Sequence, residues 1–264
     1  IIKKAVVESL KQRYHVTWFA ETGALYQIQF SLVHDTATLY LDTTGTPLHK
    51  RGYRKVANLA PIRETLAAGI LDIARIYPDT QLYDPFCGSG TFLIEAAYKA
   101  KNIAPGIYRR FAAEKWDSLP SKIWQTSREE AIEKIRKDIE FTAFGSDISQ
   151  DSLEIAEANA RRAGISGLVR LEKMNVKSFT MPDRKSLVVT NPPYGERLMN
   201  GEDLTKLYQT MGNVFQPSQQ TAYYIISSAE NFEQSFGRKA DKKRKLYNGM
   251  LKCNLYQYFA QKSK

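Results

Sequence analysis

Two strings in this chain combine residue types that could do chemistry. The first is Asp84-Pro-Phe-Cys-Gly-Ser-Gly-Thr91. It follows a short apolar run, Thr80–Asp84, and precedes a helical pattern, Thr91–Lys101. Gly88 and Gly90 let the backbone turn tightly and approach a ligand. The helix start offers unpaired N–H groups and a partial positive charge. No lysine follows the glycines, so this is not a phosphate loop. The third glycine of a dinucleotide fingerprint is also missing, and an acid at the strand end is unfriendly to pyrophosphate. Asp84 suits a cationic group such as an amino-acid ammonium, and the helix start suits the carboxylate of the same ligand. The bland alternative is a simple turn.

A second acid, Asp147, closes the next strand in Phe-Gly-Ser-Asp-Ile-Ser. Such a carboxylate typically accepts from ribose hydroxyls. A ligand with an amino-acid end and a ribose end fits S-adenosylmethionine. The spacing from Asp84 to Asp147 exceeds the usual ~20 residues. An insertion at 102–125, which holds Trp116 and Trp124, and an extra helix would account for the excess.

The other string is Asn191-Pro192-Pro193-Tyr194, after the β-branched run Ser186–Thr190. The prolines fix φ and lack N–H groups, so the strand must stop there. The Asn191 side-chain oxygen and the Pro192 carbonyl are two acceptors for the two hydrogens of a planar amino group. Holding both favours a pyramidal nitrogen with its lone pair aimed at an electrophile. Tyr194 offers a ring on which a flipped base can stack. The alternative is a rigid turn closing the sheet.

The elements that must position these strings follow a rhythm. Helices are expected over 61–76, 91–101, 127–138, 151–163 and 203–215. Strands are expected over 80–84, 141–146, 168–172, 186–190, 222–227 and 252–259. Alternation of this kind implies an α/β fold, a mostly parallel sheet with helices on both faces. Ligands then bind beyond the carboxyl ends of the strands, at the switch point. Before this body come a helix over 2–14 and a hairpin, 25–33 and 36–41, around His34-Asp35. These first residues hold too little apolar material for a complete domain. The chain opens at Ile1 and not at a methionine, so a fragment is expected.

Composition narrows the class. Of 264 residues, 43% are hydrophobic and 25% charged, as in a soluble globular protein. Two cysteines, Cys87 and Cys253, exclude a disulfide scaffold and fit a reducing cytoplasm. His15, His34 and His49 lack metal-ligand spacing, so no metal is expected. Cys87 has no base partner and reads as a packing residue, and Tyr223-Tyr224 reads as core. No apolar run is long enough for a membrane helix.

The net charge of +10 is uneven. Residues 1–57 hold 8 basic and 4 acidic side chains, residues 58–233 hold 21 and 23, and residues 234–264 hold 9 and 1. A near-neutral body between basic ends suggests a polyanionic partner gripped on either side. The densest run, Arg238–Lys245, could equally be a solvated loop.

The chain resembles the Rossmann-fold, S-adenosylmethionine-dependent amino-methyltransferases with the Asn-Pro-Pro-Tyr signature. More narrowly, it is similar to THUMP-domain RNA guanine-N2 methyltransferases, including those acting on bacterial 23S rRNA. The carriers are Leu41–Arg54, Asn58–Leu71, the Asp84–Thr91 string, Asn191–Leu198 and Lys245–Tyr258. The resemblance implies a Rossmann-like methyltransferase domain over 58–264 with an antiparallel last strand, preceded by the end of a THUMP RNA-binding module over 1–57. It implies cofactor contacts at Asn58, Pro61, Asp84, Phe86, Gly88, Gly90, Thr91, Asp147, Ile148, Asn175 and Val176. Target-amine roles fall on Asn191, Pro192, Pro193 and Tyr194. Many relatives carry an acid where this chain has Asn175, whose carbonyl oxygen can still accept. The implied partner is structured RNA, 23S rRNA first. Adenine-N6 methylation of DNA, glutamine methylation of protein and a non-catalytic RNA-binding assembly factor are the alternatives.

Overall fold

The sheet that carries both strings has seven strands in the order β5-β4-β3-β6-β7-β9-β8. Its strands are β3 (Gln81–Asp84), β4 (Thr142–Asp147), β5 (Val169–Lys173), β6 (Ser186–Thr190), β7 (Thr221–Ser227), β8 (Lys242–Asn248) and β9 (Leu251–Tyr258). The first five run parallel, and β9 is antiparallel to both β7 and β8. This is the expected α/β Rossmann-like sheet with an antiparallel end. The computed structural model describes residues 1–54, 61–180, 182–194 and 201–261.

Period-2 alternation divides the core between the two faces. In β6, Val189 faces one cluster and Val188 the other; in β7, Tyr224 and Ile226 face the first, Tyr223 and Ile225 the second. The first cluster is closed by α2 (Glu64–Ala74), α3 (Thr91–Lys101) and α5 (Gln150–Arg162). The second is closed by α6 (Gly201–Val214) and α7 (Phe232–Phe236), with stacked ring pairs Phe215–Tyr223 and Phe232–Phe236. Tyr223, Tyr224 and Cys87 are buried in these clusters, as read from the sequence.

Close approaches depend on glycine at two points. A Cβ on Gly145 of β4 would lie 2.4 Å from Leu93 Cδ1 of α3. A Cβ on Gly212 of α6 would lie 1.9 Å from the Phe236 carbonyl oxygen of α7. The first contact seats the helix that follows the glycine string, a task the absent third glycine of a dinucleotide loop would otherwise perform.

The chain divides into two units, Ile1–Thr46 with Phe111–Ile123, and Pro47–Arg110 with Trp124–Lys264. The smaller unit holds α1 (Ile2–Tyr14) and a hairpin of β1 (Gln27–Val33) and β2 (Thr36–Asp42). His34 and Asp35 both take positive φ, 48° and 58°, the geometry of a tight two-residue hairpin turn. The 102–125 insertion does not behave as one piece. Its Trp116 stacks on Tyr26, with ring centroids 4.7 Å apart, and donates to the Leu25 carbonyl at 3.0 Å.

Three expectations need correction. The helix expected over 127–138 is α4 (Ser121–Glu133), which begins directly after Pro120. The basic run at 238–245 is only half loop, because Arg238–Asp241 precede edge strand β8 and Lys242–Lys245 form its start. A row of lysines is one way to keep such an edge from pairing with another chain. The excess charge counted over 1–57 does not belong to the smaller unit. Ile1–Thr46 carry 4 basic and 4 acidic residues, and the surplus is Lys50, Arg51, Arg54 and Lys55. Arg51 and Arg54 are half-buried in ion pairs of the larger unit, with buried Glu95 at 3.4 Å and Glu64 at 3.5 Å. Charge counted along a chain does not distinguish a partnered guanidinium from a free one.

Candidate active site

The chain leaves β3 for β4 and β5 on one side, then crosses to β6 and β7 on the other. The switch point therefore lies between β3 and β6, the strands ending in Asp84 and in Thr190-Asn191. This is where an open α/β sheet binds its ligands.

Thr190 ties the two strings together. Its hydroxyl donates to Asp84 Oδ1 at 2.6 Å, and the Phe86 N–H donates to the same oxygen at 3.2 Å. Asp84 is 2% exposed. Burial pushes its carboxyl up to about 7 against these two hydrogen bonds, and the nearby Asp147 charge adds to the rise. Among the described residues Asp84 has no cationic partner, and such a buried carboxylate is poised to take one. No sequence signal marks Thr190, because its partner lies 106 residues away.

Asp147 holds the loop shut from the next strand. Its Oδ2 accepts from the Gly88 N–H at 3.0 Å and its Oδ1 from the Ser149 N–H at 3.0 Å. Gly88 and Gly90 take φ of 50° and 79°. A Cβ on Gly90 would press on Ala156 of α5 at 3.1 Å, and buried Asn159 of that helix donates to the Ser89 carbonyl at 3.0 Å. Thr91 opens α3, and its hydroxyl accepts from Arg54, which also donates to the Ile62 carbonyl at 3.1 Å. Arg54 thus links the glycine loop to the stem of α2, a role hidden in a segment that reads as merely basic. Cys87 is buried and its thiol is pushed well up by burial and by the two acids, which suits packing and not nucleophilic attack.

The remaining cofactor candidates sit along the same edge. Phe86 is half-buried against the aromatic cluster, Ile148 is exposed, and Val176 is buried. Asn175 caps a short turn, its Oδ1 accepting from the Lys177 N–H at 3.0 Å, which leaves that oxygen one lone pair. Pro61 is half-buried two residues before the cap of α2. Asn58 lies outside the described residues.

At the end of β6, Asn191 has its Oδ1 sealed from solvent with no hydrogen-bond partner among the described residues. Such an atom costs on the order of 1–3 kcal/mol if left alone. The string around it is held from behind. The Tyr208 hydroxyl of α6 donates to the Pro193 carbonyl at 3.4 Å, and the Asn248 side-chain amide at the end of β8 donates to the Tyr194 hydroxyl at 3.3 Å. Tyr194 is buried, and burial raises its phenol well above the usual range, so it stays neutral. Neither Tyr208 nor Asn248 is marked by sequence spacing. Among the described residues, no group of three or more His, Cys, Asp or Glu could hold a metal ion. No described helix is long and apolar enough to cross a membrane.

Sheet order, a glycine loop between two acids, and an orphaned acceptor at the next strand end define a Rossmann-like methyltransferase. The chain belongs to the RMKL-like methyltransferase domain family (UPF0020), whose pattern matches residues 51–257. YpsC of Bacillus subtilis, named as a candidate RNA methyltransferase, is 45% identical over 263 residues, 99% of this chain and 68% of that protein. The protein named ribosomal RNA large subunit methyltransferase K/L of Psychromonas ingrahamii is 40% identical over 85% of this chain, which spans 31% of that longer protein. Among solved structures, SMU.472, a candidate methyltransferase complexed with SAH, aligns with a TM-score of 0.90 and 42% identity over 99% of this chain and 70% of its own. A Listeria monocytogenes protein named as an N6-adenine-specific DNA methylase aligns at 0.88 and 42% identity, over 98% of this chain and 68% of its own.

Proposed function

We propose that this enzyme uses S-adenosylmethionine to methylate the exocyclic N2 amine of guanine in ribosomal RNA, 23S rRNA first. The residues fit that cofactor. Asp84, buried and without a cation among the described residues, suits the ammonium of its amino-acid end. The start of α3 suits the carboxylate, and the lone pairs left on Asp147 suit ribose hydroxyls. Phe86, Ile148, Asn175 and Val176 would surround the base, with Asn58 and Pro61 on the segment entering α2. When bound, the cofactor supplies an electrophilic methyl group on a sulfonium.

The single observation that carries the reading is the orphaned Asn191 Oδ1. With the Pro192 carbonyl it would accept both hydrogens of a target amine, so that the nitrogen lone pair is free to attack. Pro193 stiffens the string, and Tyr194, its hydroxyl held by Asn248, would stack the extruded base. Catalysis then rests on alignment. Residues 1–57 we take as the end of a THUMP module. Relatives named for ribosomal RNA support RNA over the other planar amines, whereas the Listeria relative's name keeps adenine in DNA as the rival.

Tritiated-methyl transfer to total RNA, DNA and protein from a deletion strain separates these readings. Label in RNA is the expected result, and label confined to DNA or protein would refute it.

A further inference from the structure

The sheet ends in the β8–β9 hairpin, whose edge strand is densely cationic. Strand β8 presents Lys242, Lys243, Arg244 and Lys245 in succession, all exposed, with no acid among them. Not all of this charge is free. Lys243 is paired with Glu233 at 2.7 Å, and Arg238, just before the strand, donates to the Phe215 carbonyl at 2.9 Å and lies over the Tyr258 ring. Lys242, Arg244 and Lys245 have no acidic partner among the described residues.

The turn joining β8 to β9 is stranger. Gly249 takes a φ of 66°, as a tight turn requires, but the next residue is Met250, which is 99% exposed. Tyr247, two residues before the glycine, is 54% exposed. With Leu251, 47% exposed, these are three exposed apolar side chains within five residues of one hairpin tip, a patch that suits a partner.

Position supplies the partner's chemistry. Asn248, at the base of the turn, holds the Tyr194 hydroxyl, so the apolar tip adjoins the Asn-Pro-Pro-Tyr string. The Arg63 guanidinium also lies beside the turn, with Nη2 3.5 Å from where a Gly249 Cβ would sit. At about 3.3 Å per residue, Lys245, Arg244 and Lys242 stand roughly 10 to 20 Å back along the strand from Asn248. Cations along this edge strand, Lys242 and Arg244 on the face of Asn248 and Lys245 with Tyr247 on the other, leading to an apolar tip beside the proposed target-amine site match single-stranded RNA. Phosphates meet the cations, and an apolar side chain fills the stack where a base has left.

We infer that the β8–β9 hairpin is the RNA-guiding element of this enzyme, with Lys242, Arg244 and Lys245 holding phosphates beside the target and Met250, backed by the Tyr247 ring, wedging against the base next to the extruded one. The inference rests on the proposed action on RNA.

Two variants of the full-length protein test it, each assayed on protein-free ribosomal RNA from a deletion strain. K242Q/R244Q/K245Q should raise the KM for RNA at least tenfold. It should also flatten the dependence of log affinity on log salt by about 2, since each single-strand phosphate contact contributes about 0.7. M250S should leave the salt dependence unchanged and lower kcat about tenfold. Both should bind S-adenosylmethionine with wild-type affinity by calorimetry, which also reports intact folding. Wild-type KM, salt dependence and kcat in either variant overturn the inference while leaving the proposed reaction standing. If the wild-type protein labels only DNA or protein, the proposed substrate falls and the guide falls with it.

Discussion

Asp84 and Asn191 mark the candidate site from opposite directions, one a buried carboxylate without a cation and the other a buried acceptor without a donor among the described residues. Each implies a measurement. Asp84 titrates near 7 in the fold and in the ordinary carboxylate range when unfolded, so the free protein binds the extra proton. Between those values stability falls as pH rises, because the native state must ionise a buried group that the unfolded chain has already ionised. Thermal denaturation of the free protein should therefore show Asp84→Asn more stable than wild type at pH 8, with the difference shrinking steadily as pH falls toward the ordinary carboxylate range. Cofactor affinity should move the other way. Calorimetry should find S-adenosylmethionine binding tighter at pH 8 than at pH 6, with the pH dependence lost in Asp84→Asn. Both strings were legible in the sequence because their chemistry is local. Thr190, Asn248 and Arg54 were not, since each acts on a residue distant in sequence.

At the scale of elements, the strands that read clearly were those with β-branched or apolar alternation, β6, β7 and β9. Strand β8 was hidden because four consecutive cations have poor strand propensity, and only its seven-residue ladder with β9 makes it one. Helix α4 was misplaced because Pro120 acts as a start signal within a stretch read as irregular. Packing between elements leaves a sharper mark at Gly212, where α6 meets the α7 carbonyl of Phe236. Gly212→Ala would force backbone apart and should cost about 1–3 kcal/mol in urea denaturation. The helix also carries Tyr208, which braces Pro193, so kcat should fall as well while cofactor affinity holds.

For the whole molecule, the charge of +10 resides entirely in the larger unit, because the smaller one carries 6 basic and 6 acidic residues. Part of that charge is structural. Arg51→Gln should leave the salt dependence of RNA binding unchanged, yet lower stability by about 3 kcal/mol, because it takes the cation from Glu95, which is 1% exposed and keeps the Tyr53 hydroxyl as donor. A loss of salt dependence without a loss of stability would return Arg51 to the RNA surface. The central claim, that Asn191 and the Pro192 carbonyl hold a guanine amine for methyl transfer, has one direct test. Ribosomal RNA from a deletion strain is incubated with labelled S-adenosylmethionine and either the wild-type enzyme or Asn191→Ala, then digested to nucleosides and analysed by mass spectrometry. The expected product is N2-methylguanosine, formed about 100-fold or more slowly by the variant, with cofactor affinity unchanged. A different methylated nucleoside, or an Asn191→Ala enzyme that works at the wild-type rate, would contradict the account.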